Sequence, residues 1–279
     1  MPVKFDDLTK AGTKVLNDDY QVRGFQFKTK NKTTLDGATV TTAVDLFDKG
    51  GATGAKITWK LPSPLGLKGV SIDKLEMDKT GATKAEAILD KGFHRVPDLK
   101  LEFKSALSDI NGLSTGLTFS GIKDTLVKAE IKPLAVGKTK DSAVLEVTKD
   151  FGGGTSAGLR IKGLSPPKPE LAVSGAGGPC FMALTASDMF KSFGIFYLHK
   201  LKAVTIVTAF QRGTKKDDGL SAAVAYQVRP DTTVKAKLQQ DMSLSASVNH
   251  QLSKGFTVLA GGRFSGKENF SFGMQVSVE

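Results

Sequence analysis

An alternation of apolar and polar residues with a period of two runs through most of this chain. In the closing segment FSFGMQVSVE, every second residue from Phe270 to Val278 is large and apolar, and the residues between them are small or polar. Successive side chains of a β-strand point to opposite faces, so this pattern predicts a strand with one apolar face. The apolar face must meet either a protein core or lipid.

The same alternation recurs along the sequence in segments that turn-forming residues separate. It is seen in DLKLEFKSAL, VKAEIK, AVLEVTK, AGLRIKG, TTVKAKLQQ and MSLSASVNHQ. Cutting the chain at the Gly, Asn, Asp and Pro clusters gives about 19 segments of roughly 8 to 11 residues, a length that crosses a bilayer at a tilt. The cuts around residues 62–80 and 165–200 are poorly defined, and periodicity alone does not fix the count.

Only the first 20 residues depart from this period. Between Asp6 and Tyr20 the apolar positions follow the i, i+3, i+7, i+8 spacing of a short amphipathic helix. We expect Asp6 or Asp7 to cap its start and Lys10 and Lys14 to lie on its polar side. The apolar positions are Leu8, Ala11, Val15 and Leu16.

Three features favour lipid over a soluble core. The hairpin-like segments are nearly uniform, no second sheet remains to cover so many half-apolar strands, and the polar face carries Lys or Arg on strand after strand. A water-filled lumen accommodates such an ionic face, whereas a dry core does not. The residues therefore predict an all-β transmembrane barrel, and a large soluble β domain is the alternative.

Composition limits the other classes of function. The chain carries 39 Lys+Arg against 28 Asp+Glu, a formal net charge of +11, which suits anionic solutes, acidic membranes or nucleic acid. The single cysteine, Cys180, excludes an internal disulfide framework, and the three histidines share no metal-ligand spacing. The start of the chain lacks the apolar region of a secretory signal. The sequence shows no catalytic motif, so we expect the protein not to be an enzyme and to have no cofactor and no metal site.

Several stretches resemble the mitochondrial voltage-dependent anion channels, the eukaryotic porins. PVKFDDLTKAGTKVLNDDY followed by FQFKTK is similar to the start of that family, KGFHRVPDLKLEFKSALSD to a strand in mid-chain, and the residues from SAAVAYQVRP to FSFGMQVSVE to its last strands. The resemblance covers nearly the whole chain. Since this family is the known case of a 19-stranded barrel, the segment count above is not independent of it.

The resemblance implies a barrel of about 19 strands whose first and last strands pair in parallel, because an open edge in lipid leaves backbone groups unpaired. It divides the chain into a helical segment inside the lumen (1–20) and the barrel (21–279). The family's role implies a voltage-gated pore of the mitochondrial outer membrane. The family's sorting signal in the final strand is matched by Ser271, Gly273, Val276 and Val278.

Positive charge on the predicted lumen face indicates mild anion selectivity, favouring chloride, phosphate, ATP and ADP. Acidic residues on the same strands, such as Glu102, Glu130 and Glu146, offset it in part. The predicted pore-lining cations are Lys10, Lys14, Lys28, Lys100, Lys104, Lys128, Lys132, Arg160, Lys162, Lys235 and Lys237.

The resemblance also implies nucleotide contacts. It places one nucleotide contact on Lys10. The second nucleotide-contacting lysine of the family's helix falls near Asp18 in this chain. The family's Gly-rich hinge after the helix is reduced to Gly24 here. The family's nicotinamide-nucleotide region maps onto Ser243, Leu244 and Ser245, and onto Gly261, Gly262, Arg263, Phe264 and Ser265.

Two other functions compete with a metabolite and ion channel. One is the protein-conducting pore of the mitochondrial translocase, which has the same fold but would favour an acidic lumen. The other is a soluble basic β protein that binds nucleic acid. The expected partners of the channel are a lipid bilayer, anionic metabolites, and further copies of the chain or other outer-membrane proteins, with no nucleic acid as the main partner.

Overall fold

A computed structural model of the 279-residue chain describes residues 3–33, 37–46, 54–90, 96–106, 109–132, 142–213, 218–266 and 269–279. It contains a short helical segment at the N-terminus and nineteen strands. The helices in this part of the chain are all too short or too polar to cross a membrane.

The N-terminal segment is divided in two, where the sequence predicted one continuous helix. A 3₁₀ turn spans Phe5–Leu8, and the helix α1 spans Lys10–Asn17, with Thr9 between them. The predicted capping by Asp6 or Asp7 is wrong, because neither start has a side-chain cap. Both carboxylates instead pair with cations, Asp6 with Arg160 and Asp7 with Lys10.

Strands fill most of the remaining described chain, and strands that are neighbours in sequence pair with each other. The strands are β1 (Gly24–Lys32), β2 (Thr39–Leu46), β3 (Gly54–Leu61), β4 (Val70–Asp78), β5 (Thr83–Leu89), β6 (Leu99–Ala106), β7 (Asp109–Phe119), β8 (Thr125–Ile131), β9 (Ala143–Gly152), β10 (Thr155–Lys162), β11 (Lys168–Gly177), β12 (Cys180–Ser187), β13 (Ser192–Leu201), β14 (Val204–Arg212), β15 (Gly219–Arg229), β16 (Thr232–Gln239), β17 (Leu244–Ser253), β18 (Phe256–Ser265) and β19 (Asn269–Val278).

The nineteen strands form one closed sheet. Each strand pairs antiparallel with its neighbours in sequence, except at the seam, where β1 and β19 run parallel. The seam register pairs Gly24 with Gly273 and Lys28 with Ser277. An odd number of strands in an up-and-down order makes this parallel contact unavoidable. Closure leaves no strand edge unpaired, which a membrane barrel requires. The predicted fold and its parallel closure are confirmed.

Strand pairing divides the side chains into two faces, as the alternation predicted. In β19, Ser271 and Gly273 pair with Arg263 and Gly261, and this row lies on the side of the wall that the N-terminal segment contacts. The opposite row begins with Phe270 and Phe272, whose apolar side chains are exposed on the outside of the protein. The apolar rows quoted from the other strands fall on this same outer face.

Of the two poorly defined stretches, residues 62–80 contain irregular pairing, whereas the strands within 165–200 pair in regular register. Between residues 62 and 69 the connection includes a 3₁₀ turn at Pro64–Gly66, and β4 then pairs with β5 through a bulge between Ile72 and Lys74. The bulge accommodates an extra residue, Asp73, whose carboxylate lies 3.2 Å from the Lys60 ammonium group. Period-two reasoning fails at such a bulge because one residue more on a strand reverses the alternation.

Candidate functional site: the lumen wall and its N-terminal segment

The helix α1 lies against an apolar part of the inner wall formed by β12–β15. Leu16, only 4% exposed, belongs to a buried cluster with Phe196 and Val207 on neighbouring strands. Gly12 faces the Phe196 side chain, and a Cβ there would lie 3.3 Å from that of Phe196. These strands are therefore apolar on both faces where the helix covers them.

The 3₁₀ turn is seated separately, on β9–β11. Leu8 is 1% exposed and packs with Phe5 against Ala172 of β11. The Thr148 hydroxyl donates a hydrogen bond of 2.5 Å to the carbonyl oxygen of Val3. The segment is thus held at two places on the wall, one on each side of Thr9.

Arg160 of β10 joins the 3₁₀ turn to an ionic network on the inner wall. Its guanidinium donates to Asp6 at 2.5 Å, to Glu146 at 2.8 Å and to Glu170 at 3.4 Å. The Phe5 ring covers it, with the guanidinium carbon 4.2 Å from the ring centroid. Arg160 and Glu146 are nearly buried, whereas Asp6 is largely exposed.

A second ion pair fastens the other end of the segment. The Lys235 ammonium group of β16 donates to the Asp19 carboxylate at 2.7 Å and to the carbonyl oxygen of Asp18 at 3.2 Å. Burial, followed by the nearby charge of Asp19, raises the pKa of Tyr20 to about 12. Its phenol is therefore neutral at physiological pH, and Lys237 lies over its ring at 5.3 Å from the centroid.

The lysines of α1 face the aqueous side. The Lys10 side chain is 69% exposed and lies 2.8 Å from the Asp7 carboxylate. A hydrogen bond to Asp7 and its negative charge raise the pKa of Lys10, so this lysine remains charged at neutral pH. Lys14, one turn further on, is exposed as well. The segment therefore presents Asp6 and Asp19 to wall cations and Lys10 and Lys14 to the bore.

The remaining predicted pore-lining cations lie in the inner rows of their strands or continue such a row. Several are paired with acids: Lys104 contacts Glu102 at 3.8 Å and Glu130 at 3.4 Å, and Lys128 contacts Glu130 at 3.6 Å. Lys162 contacts Glu170 at 2.9 Å. The cations of this group are Lys28, Lys100, Lys104, Lys128, Lys132 and Lys162.

Acidic residues are distributed unequally around the wall. The strands from β2 to β11 carry nearly all the carboxylates of the described wall, and several of these lie within 4 Å of a cation. The sequences of β12–β19 contain no Asp or Glu, while Lys235, Lys237 and Arg263 lie in their inner rows. We call this half of the wall the acid-free arc. Sequence reasoning had found the cations but not this segregation.

The residues carried over for nucleotide binding are only partly brought together. Arg263 donates to the Ser243 hydroxyl at 3.4 Å and lies 3.6 Å from the Asp241 carboxylate. Ser243 and Ser245 are almost completely buried, so their hydroxyls offer a solute little surface. Three of these residues, Leu244, Gly262 and Phe264, lie on the outer face of the wall. The inner face carries Ser245, Gly261, Arg263 and Ser265. A ligand in the lumen therefore cannot contact all of them.

The residues of the final-strand motif divide between the two faces. Ser271 and Gly273 point inward, and Val276 and Val278 point outward. Cys180 lies in the outer row of β12, with its sulfur 3.1 Å from Nδ1 of His199 on the adjacent strand. Among the described residues, no group of three or more His, Cys, Asp or Glu side chains could hold a metal ion.

A comparison with known protein families agrees with this geometry. The model of the family described as eukaryotic porin matches residues 1–273. The chain belongs to the eukaryotic porins. Members of this family are pore-forming channels rather than enzymes, so this barrel is an outer-membrane channel that meets lipid outside and small solutes inside.

The solved structures that match the chain include mutants of one porin. A mutant of the Rhodopseudomonas blastica porin is 11% identical, covers 88% of this chain and 93% of its own, and has a TM-score of 0.49. A triple mutant of the same porin is 11% identical, with the same coverage and a TM-score of 0.46. No curated protein matches the chain.

Proposed function

We propose that this porin is a voltage-gated, mildly anion-selective pore of the mitochondrial outer membrane that passes chloride, phosphate, ADP and ATP. The acid-free arc carries this proposal. The strands β12–β19 supply cations and no carboxylate to the lumen, and the acids near them, Asp19 beside Lys235 and Asp241 beside Arg263, lie outside these strands. Opposite them, the acids and bases of β2–β11 alternate at contact distances and largely cancel at longer range.

The field of such an arc favours anions by a modest factor. In water a unit charge acts on an ion about 10 Å away with ~0.4 kcal/mol, which 0.1 M salt reduces to about 0.15 kcal/mol. An anion gains what a cation loses, so each additional lumen cation multiplies the anion-to-cation ratio by about 1.7. A few such charges give weak selectivity without a binding site, which suits a pore that must release metabolites.

The N-terminal residues form a separate part of this proposal. We assign residues 1–20 to a segment inside the lumen and residues 21–279 to the barrel. The contacts of α1 and the 3₁₀ turn with inner-row residues support the division. Lys10 is the nucleotide-contacting residue we favour, since it is charged and exposed to the bore. Ser271, Gly273, Val276 and Val278 are proposed as the mitochondrial sorting signal, and contacts with further copies or other outer-membrane proteins remain part of the proposal.

The translocase alternative is less well supported. A protein-conducting pore for basic presequences would need a lumen that attracts cations, and the acid-free arc repels them. The inner wall is also too strongly ionic to be the core of a soluble nucleic-acid-binding protein.

Planar-bilayer recording of the reconstituted chain tests the proposal. In a tenfold KCl gradient we expect the reversal potential to be displaced from zero toward the equilibrium potential of chloride. The displacement should shrink as the total salt concentration rises, because salt screens the charges of the arc. Voltage steps of both signs should reduce the conductance. A reversal potential on the potassium side would refute anion selectivity, and a conductance independent of voltage would refute gating.

A further inference from the structure

The connection from α1 to β1 crosses the inner wall over two paired glycines. Gly261 of β18 and Gly273 of β19 lie opposite each other in register. A Cβ built on Gly261 would lie 2.8 Å from the carbonyl oxygen of Gln21, and one on Gly273 would lie 2.5 Å from the Arg23 nitrogen. Real Cβ atoms essentially never come closer than 3.0 Å to such atoms. The wall therefore has no room here for any side chain.

Space, and not backbone conformation, demands glycine at these two positions. Gly261 and Gly273 are absent from the glycines with positive φ, so an L-residue could adopt their dihedral angles. The atoms that a Cβ would strike belong to the linker backbone at Gln21 and Arg23. No change of rotamer can relieve such a contact, so the linker itself would have to move.

The linker lies next to the ion pair that fastens the end of the N-terminal segment. Lys235 bonds Asp18 and Asp19, two to five residues before Gln21 to Arg23. At the other end of the segment, Gly158 of β10 provides a similar space, since a Cβ there would lie 2.9 Å from side-chain atoms of Leu8 and Phe5. Glycines of the wall thus underlie both ends of the segment.

We propose that Gly261 and Gly273 are positioning residues that together form a seat for the linker. The seat lets the linker backbone lie directly on the wall, which sets the height of α1 in the lumen and keeps Asp19 within reach of Lys235. One contact accounts for both glycines, although the family resemblance assigns them to different sites. Displacing the linker lifts α1 away from its apolar bed on β12–β15.

A cysteine hidden beneath the helix reports this displacement. Ala183 is 1% exposed and packs in the same cluster as Leu16 of α1. In a Cys180→Ser background, Ala183→Cys should react slowly with a water-soluble methanethiosulfonate reagent while α1 is seated. Adding Gly261→Ala or Gly273→Ala should raise the reaction rate about tenfold, equivalent to about 1.4 kcal/mol of lost docking free energy. Single-channel currents of these variants should also become noisier.

Gly175→Ala is the matched control. Gly175 is a strand glycine of β11 with open space around its Cβ position, so this change should alter neither the thiol rate nor the noise. Circular dichroism checks that each barrel has folded. Should Gly273→Ala fail to fold, the thiol reaction rate of Gly261→Ala still tests the seat, because Gly261 lies outside the final strand and its motif.

An unchanged thiol rate in folded Gly261→Ala would overturn the seat. An equal rise in Gly175→Ala would do so as well, because it would assign the effect to loosening of the barrel in general. The thiol measurement does not depend on ion selectivity or voltage gating, so its failure is distinct from failure of the proposed function.

Discussion

Replacing Arg160 with methionine should reveal how strongly the lumen wall depends on one ionic network. The variant keeps an unbranched, flexible side chain, shorter than that of arginine, and removes the cation between Glu146 and Glu170. The side chains of Arg160 and Glu146 are 10% and 9% exposed, so a nearly buried carboxylate loses its counter-charge, whereas Glu170 keeps its contact with Lys162 at 2.9 Å. Removing one partner of a buried pair typically destabilises a protein by about 3–5 kcal/mol. We expect a loss of this size in the free energy of unfolding of the barrel.

Asp6→Asn provides the contrast within the same network. The Asp6 side chain is 80% exposed, although it lies close to the guanidinium. An ion pair with one partner in water contributes about 0–1 kcal/mol to stability. We therefore expect Asp6→Asn to lower the free energy of unfolding by at most about 1 kcal/mol. A double variant, Arg160→Met with Glu146→Gln, should recover part of the loss by removing one of the unpaired charges.

Denaturant unfolding in detergent micelles, followed by circular dichroism, measures these differences. The reasoning is refuted if Arg160→Met costs under ~1 kcal/mol, since the network would then resemble an exposed pair. It is equally refuted if Asp6→Asn is as damaging as Arg160→Met, since burial would then not determine the cost.

Three further predictions concern the two faces of the wall and the helix. Ile57→Lys on the outer face of β3 should destabilise the barrel by about 2–4 kcal/mol if it lies near the bilayer midplane, while its inward neighbour Thr58→Lys, opposite Glu76, should be tolerated; equal unfolding free energies for the two would contradict the assignment of faces. Lys237→Gln and Lys104→Gln should each lower the anion-to-cation permeability ratio by about 1.7-fold, because each change removes one unit charge from the lumen and the fields of separate charges add; reversal potentials that shift for Lys237→Gln alone would count against simple addition. Leu16→Ala should weaken the packing of α1 by about 2–5 kcal/mol and increase open-channel noise, and quiet wild-type-like currents would show that α1 is held mainly by other contacts.

The barrel could be predicted from sequence because each strand carries its own signal. In β19 the polarity of each residue from Phe270 to Val278 indicates which face of the sheet it lies on. A wrong assignment in one strand does not change the assignment of the next strand. The signal fails where the pairing is irregular, as at Asp73 in the β4 bulge. It also fails where both faces are apolar, as along Phe196 and Leu198, although the unbroken run FGIFYL was a visible sign of a second buried face.

The contacts of the N-terminal segment were less predictable. The contact of Asp6 with Arg160 joins residues 154 positions apart, so local capping rules gave the wrong partner. The glycine seat could not be found from spacing, since Gly261 and Gly273 contact backbone atoms of Gln21 and Arg23 far away in the chain. Tertiary contacts of this kind leave no period in the sequence.

The accessibility of alternate residues in β19 tests the account most directly. Single cysteines at Ser271 and Phe272, in a Cys180→Ser background, can be labelled with an environment-sensitive fluorophore in reconstituted vesicles. The account predicts that the label at Phe272→Cys is quenched by a lipid carrying a quencher on its acyl chain, and that the label at Ser271→Cys is quenched by an aqueous quencher instead. The opposite order, or aqueous quenching at both positions, would contradict a wall with lipid on one side and water on the other.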